Sequence, residues 1–505
     1  MINKLIIFVL MVGIIYRLFL TAGGNFLFNM DNARDMVDVR EMVMLNKFRL
    51  IGPTSAIEGF FNGPGWYYLL AIPFILSGGD PYGSIIMEIT LWAIGGFFLL
   101  KLVAKWNLWL IFPVGALWVA ADYIVLTNLY AFNPNPVTLL TPLFIYLLAA
   151  YIEESKLFHI VFVWILAGLF FNFEMNFGIF TPLIILTSMI IARKFKLVKS
   201  KFFWIGVSLF ILTLLPQLFF DLRHQFIMSK SVSNFLSHSQ AEFNLPNRII
   251  VIGQSFYNTF LPTLLNHKNL TTIMLLLGAF VAIRFFKLRG KKDLVVTIAL
   301  VYVIIPFLGY LILPVNVNPW HLGGPMAASI ILIAFILKDL MNFRPLGNIV
   351  SVSIAFFIVL FGITNLFNFF TNDLGKANLD PSLYKNEIAA IDYVYTKANG
   401  QNFKVYTYLP SVYDYPYQYL FWWYGQKKYG YIPFDYAYLP DKPPGYVAAK
   451  NKFDGSKENF SGLVFLIKEP DRNHTRAGWE GEFINLKSIN KEMVGSIEVE
   501  IRKEL

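Results

Sequence analysis

Asp31, Asp35 and Asp38 stand at i, i+4 and i+7, a spacing that sets three carboxylates on one face of a helix. Arg34, Glu41 and Glu58 share the same stretch, residues 22–64. Carboxylates grouped in this way can take a proton from a hydroxyl as a general base, or serve as oxygen ligands for a divalent cation. Met36, Val39 and Val43 form an apolar stripe beside them. The pattern predicts an amphipathic helix lying along a membrane surface, with its acids toward an aqueous cavity. For Asp38 the plainer reading is a solvated face. Glu174 stands apart, in Phe-Asn-Phe-Glu-Met-Asn between two apolar runs. A carboxylate at a membrane edge is costly unless it faces protein or water, which makes Glu174 a functional candidate; helix capping is the rival reading. Asp221, Arg223 and His224 directly follow another apolar run, either as a ligand contact or as an ion pair anchoring the helix end. Pro319-Trp320-His321 opens a later run, and Asn133-Pro134-Asn135-Pro136 reads first as a rigid connection, because each X-Pro step disfavours helix.

Apolar elements must position these groups. Of 505 residues 56% are apolar, 17% aromatic and 15% charged, and the mean hydropathy is +0.55. Soluble domains carry about 25% charged residues, and disordered chains combine low hydrophobicity with high charge. The class that remains is a multi-span membrane protein. Runs long enough for the hydrocarbon core fall near 5–21, 83–104, 107–124, 137–152, 157–171, 177–192, 203–220, 270–287, 293–313, 322–340 and 347–370. The first is read as a retained span rather than a cleaved leader.

A further run, 65–78, is short and holds Pro73 and Gly78; charge decides its path. Suppose it does not cross and the N-terminus is cytoplasmic. Sixteen basic residues then fall in the inner connections, including Lys101, Lys105, Lys156, the cluster Arg193, Lys194, Lys196, Lys199, Lys201 and the cluster Arg284, Lys287, Arg289, Lys291, Lys292. The short outer loops 125–136, 172–176 and 314–321 hold none. This is the positive-inside pattern, and it assigns the net charge of +10 to the cytoplasmic side of a membrane rather than to nucleic acid. The run 65–78 is therefore read as re-entrant or partial, and the C-terminus as outside.

After residue 370 long polar stretches begin, and the length suits a small domain. A helix-like segment, Ser382–Lys397, precedes strand-like runs at Phe403–Leu409, Gly462–Ile467 and Met493–Ile501. The expected architecture is an all-α polytopic membrane domain, residues 1–370, of about 11–13 transmembrane helices, followed by an extracytoplasmic α/β domain, residues 371–505. Residues 401–440 contain 16 aromatics, Trp422 and Trp423 among them, which could stack on sugar rings or pack at a lipid interface.

Three segments carry a resemblance. They are Met30-Asp31-Asn32-Ala33-Arg34-Asp35, Ile51-Gly52-Pro53-Thr54-Ser55 and Phe61-Asn62-Gly63-Pro64-Gly65-Trp66-Tyr67-Tyr68. Together they resemble the first outer loop of GT-C membrane glycosyltransferases that use polyprenyl-phosphate sugars, a class related to protein O-mannosyltransferases and the aminoarabinose transferase of lipid A. Phe132-Asn133-Pro134-Asn135-Pro136, the stretch from Pro216 to His224, and His321-Leu322 extend it over residues 1–370. The resemblance implies an acid at the catalytic centre just after the first span, the place of Asp31. Many members read Asp-Glu there, where this chain reads Asp31-Asn32, so a second acid falls to Asp35 or Glu174. Members related to the lipid A enzyme carry Lys-Pro-Pro where this chain reads Asn62-Gly63-Pro64.

The implied reaction moves a sugar from a lipid phosphate to a hydroxyl on a protein, lipid or glycan acceptor. Arg223, His224 and His321 would stabilise the departing phosphate. Glu58, Asn133, Asn135, Trp422 and Trp423 would contact the acceptor or sugar. No cofactor is assigned, and Asp31, Asp35 and Glu174 could hold a divalent cation. No P-loop, Gly-x-Gly-x-x-Gly or His-Glu-x-x-His occurs, which fits a reaction driven by the donor bond itself. A transporter or lipid flippase is the alternative class, but it would place charge in mid-membrane and show two related halves. A chain without cysteine points to a prokaryotic plasma membrane, and Asn269, Asn459 and Asn473 open glycosylation triplets only in a host with that pathway.

Overall fold

The computed structural model describes residues 2–55, 57–154, 157–239, 244–263, 267–287, 293–372, 378–440, 445–454 and 460–504. The readings made for Lys156, Arg289, Lys291, Lys292 and Asn459 lie outside the described residues. In chain order the helices before the sheet are α1 (Ile2–Thr21), α2 (Met30–Met44), α3 (Gly65–Ser77), α4 (Tyr82–Ala104), α5 (Ile111–Ala120), α6 (Asp122–Leu126), α7 (Asn135–Glu154), α8 (His159–Phe173) and α9 (Met175–Gly178). They continue as α10 (Thr181–Ile191), α11 (Lys201–Arg223), α12 (Ile227–Ser239), α13 (Leu245–Thr263), α14 (Lys268–Lys287), α15 (Leu294–Ile312), α16 (Gly323–Leu340), α17 (Leu346–Phe370) and α18 (Tyr384–Ala398). Among the described residues eight helices are long and apolar enough to cross a membrane, and shorter apolar helices lie at 65–77, 108–120, 159–173 and 175–191.

The bundle has two unlike ends. At one, Trp106 Nε1 donates to Asp293 at 2.7 Å, Arg284 pairs with Asp339 at 3.2 Å, and Tyr151 donates to the Leu197 carbonyl inside the basic 193–201 segment. At the other, Gly24, Phe26 and Phe28 bond through their backbones to Lys385, Tyr384 and Ser382. Arg284 and the basic 193–201 segment thus lie at the end opposite the sheet.

Both ends of the run 65–78 lie toward the sheet end. Gly65 N, where α3 begins, donates to Asn172, and Gly78 O, where α3 ends, accepts from Trp423 of the sheet end. Its 13 residues span about 20 Å, short of a hydrocarbon core of about 30 Å. Gly78 and Gly79 make the turn possible, with φ of 63° and 86°, where side chains with a Cβ are disfavoured.

After α17 come β1 (Asn402–Tyr408), α19 (Tyr415–Leu420), β2 (Asp435–Ala437), β3 (Phe460–Lys468), β4 (Lys487–Val494) and β5 (Ile497–Lys503). The sheet order is β2-β1-β3-β5-β4, with β1 parallel to β2 and β3, and β5 antiparallel to β3 and β4. The α18 helix and α19 pack on this sheet, and their apolar faces share one core with the bundle. The expected all-α polytopic body with a C-terminal α/β module is what the chain builds.

One expectation fails in an instructive way. The Met36–Val39 stripe of α2 does not rest on lipid. Met36 and Val39 are buried and Val43 is half-buried, and α2 packs against both α3 and α19.

Candidate active site

Asn29 fixes the start of α2. Its side chain accepts from the Asp31 amide at 3.0 Å, and Asn32 returns the bond from its own side chain. Asn32 Nδ2 also donates to the Ala131 carbonyl at 2.5 Å. The residue that replaces an expected second acid thus ties α2 to the 127–136 loop and points away from Asp31.

Arg34 joins two of the acids. It reaches Asp31 at 2.9 Å, and Asp35 from NH2 at 2.9 Å and from Nε at 3.0 Å. Trp66 Nε1 holds the other Asp35 oxygen at 2.7 Å. Burial pushes Asp35 up to about 6, against the pull of Arg34 and Trp66. Burial alone would lower Arg34, but Asp35 and Asp31 beside it keep it firmly protonated. Asp31 is different: its side chain is 34% exposed, against 1% for Asp35, and Tyr130 donates to it at 3.4 Å. Asp38 is not a free acid toward water. Tyr67 donates to it at 2.9 Å and Arg49 at 2.6 Å, and Arg49 also pairs with Glu41.

Glu174 sits at the break between α8 and α9, where it caps α9 through the Asn176 amide at 3.0 Å. Asn176 Nδ2 then bridges, at 2.9 Å to Glu174 and 3.3 Å to His321 Nε2. Tyr310 donates to the Asn176 and His321 carbonyls. Burial drives Glu174 up to about 7, with the Asn176 bonds pulling the other way. Capping and functional readings therefore coexist in one carboxyl group. The 127–136 loop links the two acid centres. Asn133 Nδ2 clamps the Phe173 carbonyl at 2.5 Å, one residue before Glu174, and Asn135 Nδ2 clamps the Tyr130 carbonyl at 2.6 Å. Both asparagines are buried and hold backbone, which leaves them little freedom to grip an acceptor.

Other readings are relocated. Trp423 is buried and bonded to Gly78 O at 2.8 Å, while Trp422 is buried beside the Arg40 guanidinium. Both pack the sheet end onto α2 and α3, and their remaining edges line a groove with Phe74, Ile75 and Lys427. Glu58 is exposed on a separate groove between its loop and α12, with Ile227 and Ser231. Asp221 caps α12 through Met228 N at 2.7 Å and Ser229 Oγ at 2.5 Å rather than pairing with Arg223. Arg223 is exposed, and His224 stacks on Phe220 at 4.0 Å. Asp31, Asp35 and Glu174 do not converge into a cation site; no group of three or more His, Asp or Glu among the described residues has that arrangement. In-span Arg17 is consumed by Asn128 Oδ1 at 2.5 Å, two carbonyls and the Trp92 face, a structural use.

Sequence reasoning passed over Trp66, Tyr130 and Asn176. Trp66 stands in a motif that carried the resemblance, Tyr130 lies two residues before another, and Asn176 lies two residues from Glu174.

No family model matches the chain, and no curated protein does. Solved structures do. The crystal structure of ArnT from Cupriavidus metallidurans bound to undecaprenyl phosphate superposes with a TM-score of 0.63 over 98% of this chain and 97% of that one, at 10% identity. The fold is that of ArnT. The apo structure of ArnT gives 0.55 over 94% of both chains, at 11% identity. The GT-C-like architecture expected from the first outer loop is thereby met across nearly the whole length. ArnT also shares the C-terminal extent, which the sequence motifs had not reached.

Proposed function

We propose that this chain is a membrane glycosyltransferase that moves a sugar from a polyprenyl-phosphate donor to an acceptor hydroxyl, with Asp31 as general base. The observation that carries the reading is the contrast within α2: Asp35 is sealed against Trp66, while Asp31, fixed by the same Arg34, keeps an exposed carboxylate edge. The ArnT structure bound to undecaprenyl phosphate supports the donor class. In the reaction Asp31 takes the acceptor proton, the acceptor oxygen bonds to the anomeric carbon, and the carbon–oxygen bond to phosphate breaks. The electron pair leaves with the lipid phosphate. Arg223, without an acid partner among the described residues, and His224 beside it are assigned to that phosphate. Glu174, Asn176 and His321 position the far wall. Residues 1–370 form the catalytic part, and residues 371–505 a module outside a plasma membrane, with the basic end in the cytoplasm.

The test uses the purified chain in nanodiscs with radiolabelled polyprenyl-phosphate hexose and pentose donors. Release of free lipid phosphate dependent on Asp31 is expected. Donor left intact with every sugar, in the presence of membrane extracts as acceptor source, refutes the reading.

A further inference from the structure

The aromatic stretch of the C-terminal module is not spent on Trp422 and Trp423 alone. Three tyrosines near the start of α19 form a corner. Tyr413 and Tyr415 lie 5.9 Å apart with planes 25° apart, and Tyr446 stands across both, at 5.1 Å and 82° from Tyr413 and 5.2 Å and 76° from Tyr415. Tyr413 is 45% exposed. The corner rests on a buried acid: Asp414 accepts from the Tyr446 hydroxyl and from Gln418 Nε2 at 2.9 Å. Tyr415 donates to the Tyr446 carbonyl at 3.3 Å.

The loop before it is strained. Val412 has φ of 69°, a left-handed conformation that β-branched residues avoid. Such strain persists where surrounding structure enforces it and clusters at ligand sites. Here the Val412 amide bonds to Leu409 O at 3.0 Å, and Ser411 Oγ to Tyr413 O at 3.3 Å. The corner also adjoins the acids. The α19 helix packs on α2, and Tyr415 lies within electrostatic reach of Asp38 and Arg34.

We propose that Tyr413, Tyr415 and Tyr446 form the acceptor subsite and that the acceptor is an oligosaccharide. A sugar ring has an apolar C–H face and a polar rim, which matches an aromatic face with polar neighbours. Asp38 and Asp31 are seven residues apart on α2, about 10 Å along the helix. A single ring held at the corner would fall short of Asp31, whereas a chain of rings running along α2 reaches it. A tip that merely dips into lipid is the other use of exposed Val412 and Tyr413. It would not require three rings packed on one another, one of them bonded to a buried carboxylate, beside an acidic helix.

The proposal rests on the glycosyltransferase reading, but its test does not need turnover. The full chain in nanodiscs is titrated with mannohexaose, cellohexaose and maltohexaose and with the matching monosaccharides, by calorimetry. At least one hexasaccharide binds and its monosaccharide does not. Tyr413→Ala weakens that binding about 10-fold, the worth of one aromatic stacking contact, while Tyr413→Phe holds it within twofold. Asp31→Asn leaves it intact. Absence of binding by all three hexasaccharides, or binding indifferent to Tyr413→Ala, overturns the proposal. Saccharide binding without donor cleavage would instead refute the transferase reading and leave the subsite standing.

Discussion

Replacing Asp31 and Asp35, one at a time, by asparagine separates catalysis from architecture within a single ion network. Asp35 is 1% exposed and accepts from Arg34 twice and from Trp66. Breaking a buried ion pair by removing one partner costs about 3–5 kcal/mol. The replacement amide still accepts a hydrogen bond, so Asp35→Asn should fall near the lower end, about 3 kcal/mol. Asp31 is 34% exposed and holds Arg34 at one contact of 2.9 Å. Exposed pairs of this kind contribute about 0–1 kcal/mol, and Arg34 keeps Asp35 when Asp31 is neutralised. Asp31→Asn should therefore unfold with a near-normal midpoint while turnover falls by roughly 10²-fold or more, the loss expected for a positioned base. Both are read on one preparation, with thermal unfolding by intrinsic fluorescence and lipid-phosphate release from the radiolabelled donor. Donor binding should survive in Asp31→Asn. A folded Asp31→Asn chain with turnover within threefold of the parent would refute the assignment and move the base to Glu174. An Asp31→Asn chain as unstable as Asp35→Asn would refute the burial argument itself.

Other consequences can be measured with the same preparations. Burial raises Glu469 from 4.5 to about 7 and Glu387 well above its ordinary value. Their folded forms hold protons that the unfolded chain releases; for Glu469 this stabilisation is complete below about pH 4.5 and is lost as pH rises through about 7. For Glu469 the shift is worth about 3 kcal/mol, and Glu469→Gln should flatten the fall in unfolding midpoint between pH 5 and 8. A Cβ on Gly63 would stand 2.0 Å from Asn172 Oδ1 and 2.9 Å from its Cα. Gly63→Ala should therefore lower folded yield sharply, whereas Gly253→Ala, which meets nothing within 4 Å, should be silent in the same solubility assay. The chain has no cysteine, so single cysteines report sidedness directly. One at Asn473 should react with an impermeant maleimide on intact cells and one at Lys199 should not; the reverse pattern would invert the proposed orientation.

Much of the bundle was legible because the membrane imposes simple terms. Length and hydropathy located the spans, and the basic connections sorted the two ends without any contact being known. The short run 65–78 was legible as an interrupted one, because Pro73 and Gly78 mark it. What the pattern could not reveal is what covers an apolar surface. Met36 and Val39 on α2, and Trp422 and Trp423 after α19, would look alike in sequence whether they met lipid, sugar or protein. In each case protein won, because the C-terminal module folds back onto α2 and α3. The sheet was only partly readable: β2 has three residues and pairs with β1 in parallel, an arrangement no local signal announces. The contact of Asn176, which Glu174 also holds, with His321 joins positions 145 residues apart. Glu174 and His321 drew attention and Asn176 did not, and their meeting did not follow from spacing.

The division of labour among polar residues explains why Asp31 stands out. Near the membrane edge most positioning falls to amides. Asn32 holds Ala131 O, Asn133 holds Phe173 O, Asn135 holds Tyr130 O, and Asn172 holds Gly168 O, Thr213 O and the Gly65 amide. An amide satisfies buried carbonyls and amides without the desolvation cost of an ion. Charges are therefore few, and most are matched. Asp38 and Glu41 meet Arg49 and Lys47, two acids with two bases. The neighbouring network is not balanced: Asp31 and Asp35 share the single cation Arg34. With Asp35 enclosed between Arg34 and Trp66, the surplus negative charge falls to Asp31, the one carboxylate of the network with an open edge. That open edge is what suits Asp31 to the proposed role of taking a proton from an acceptor hydroxyl.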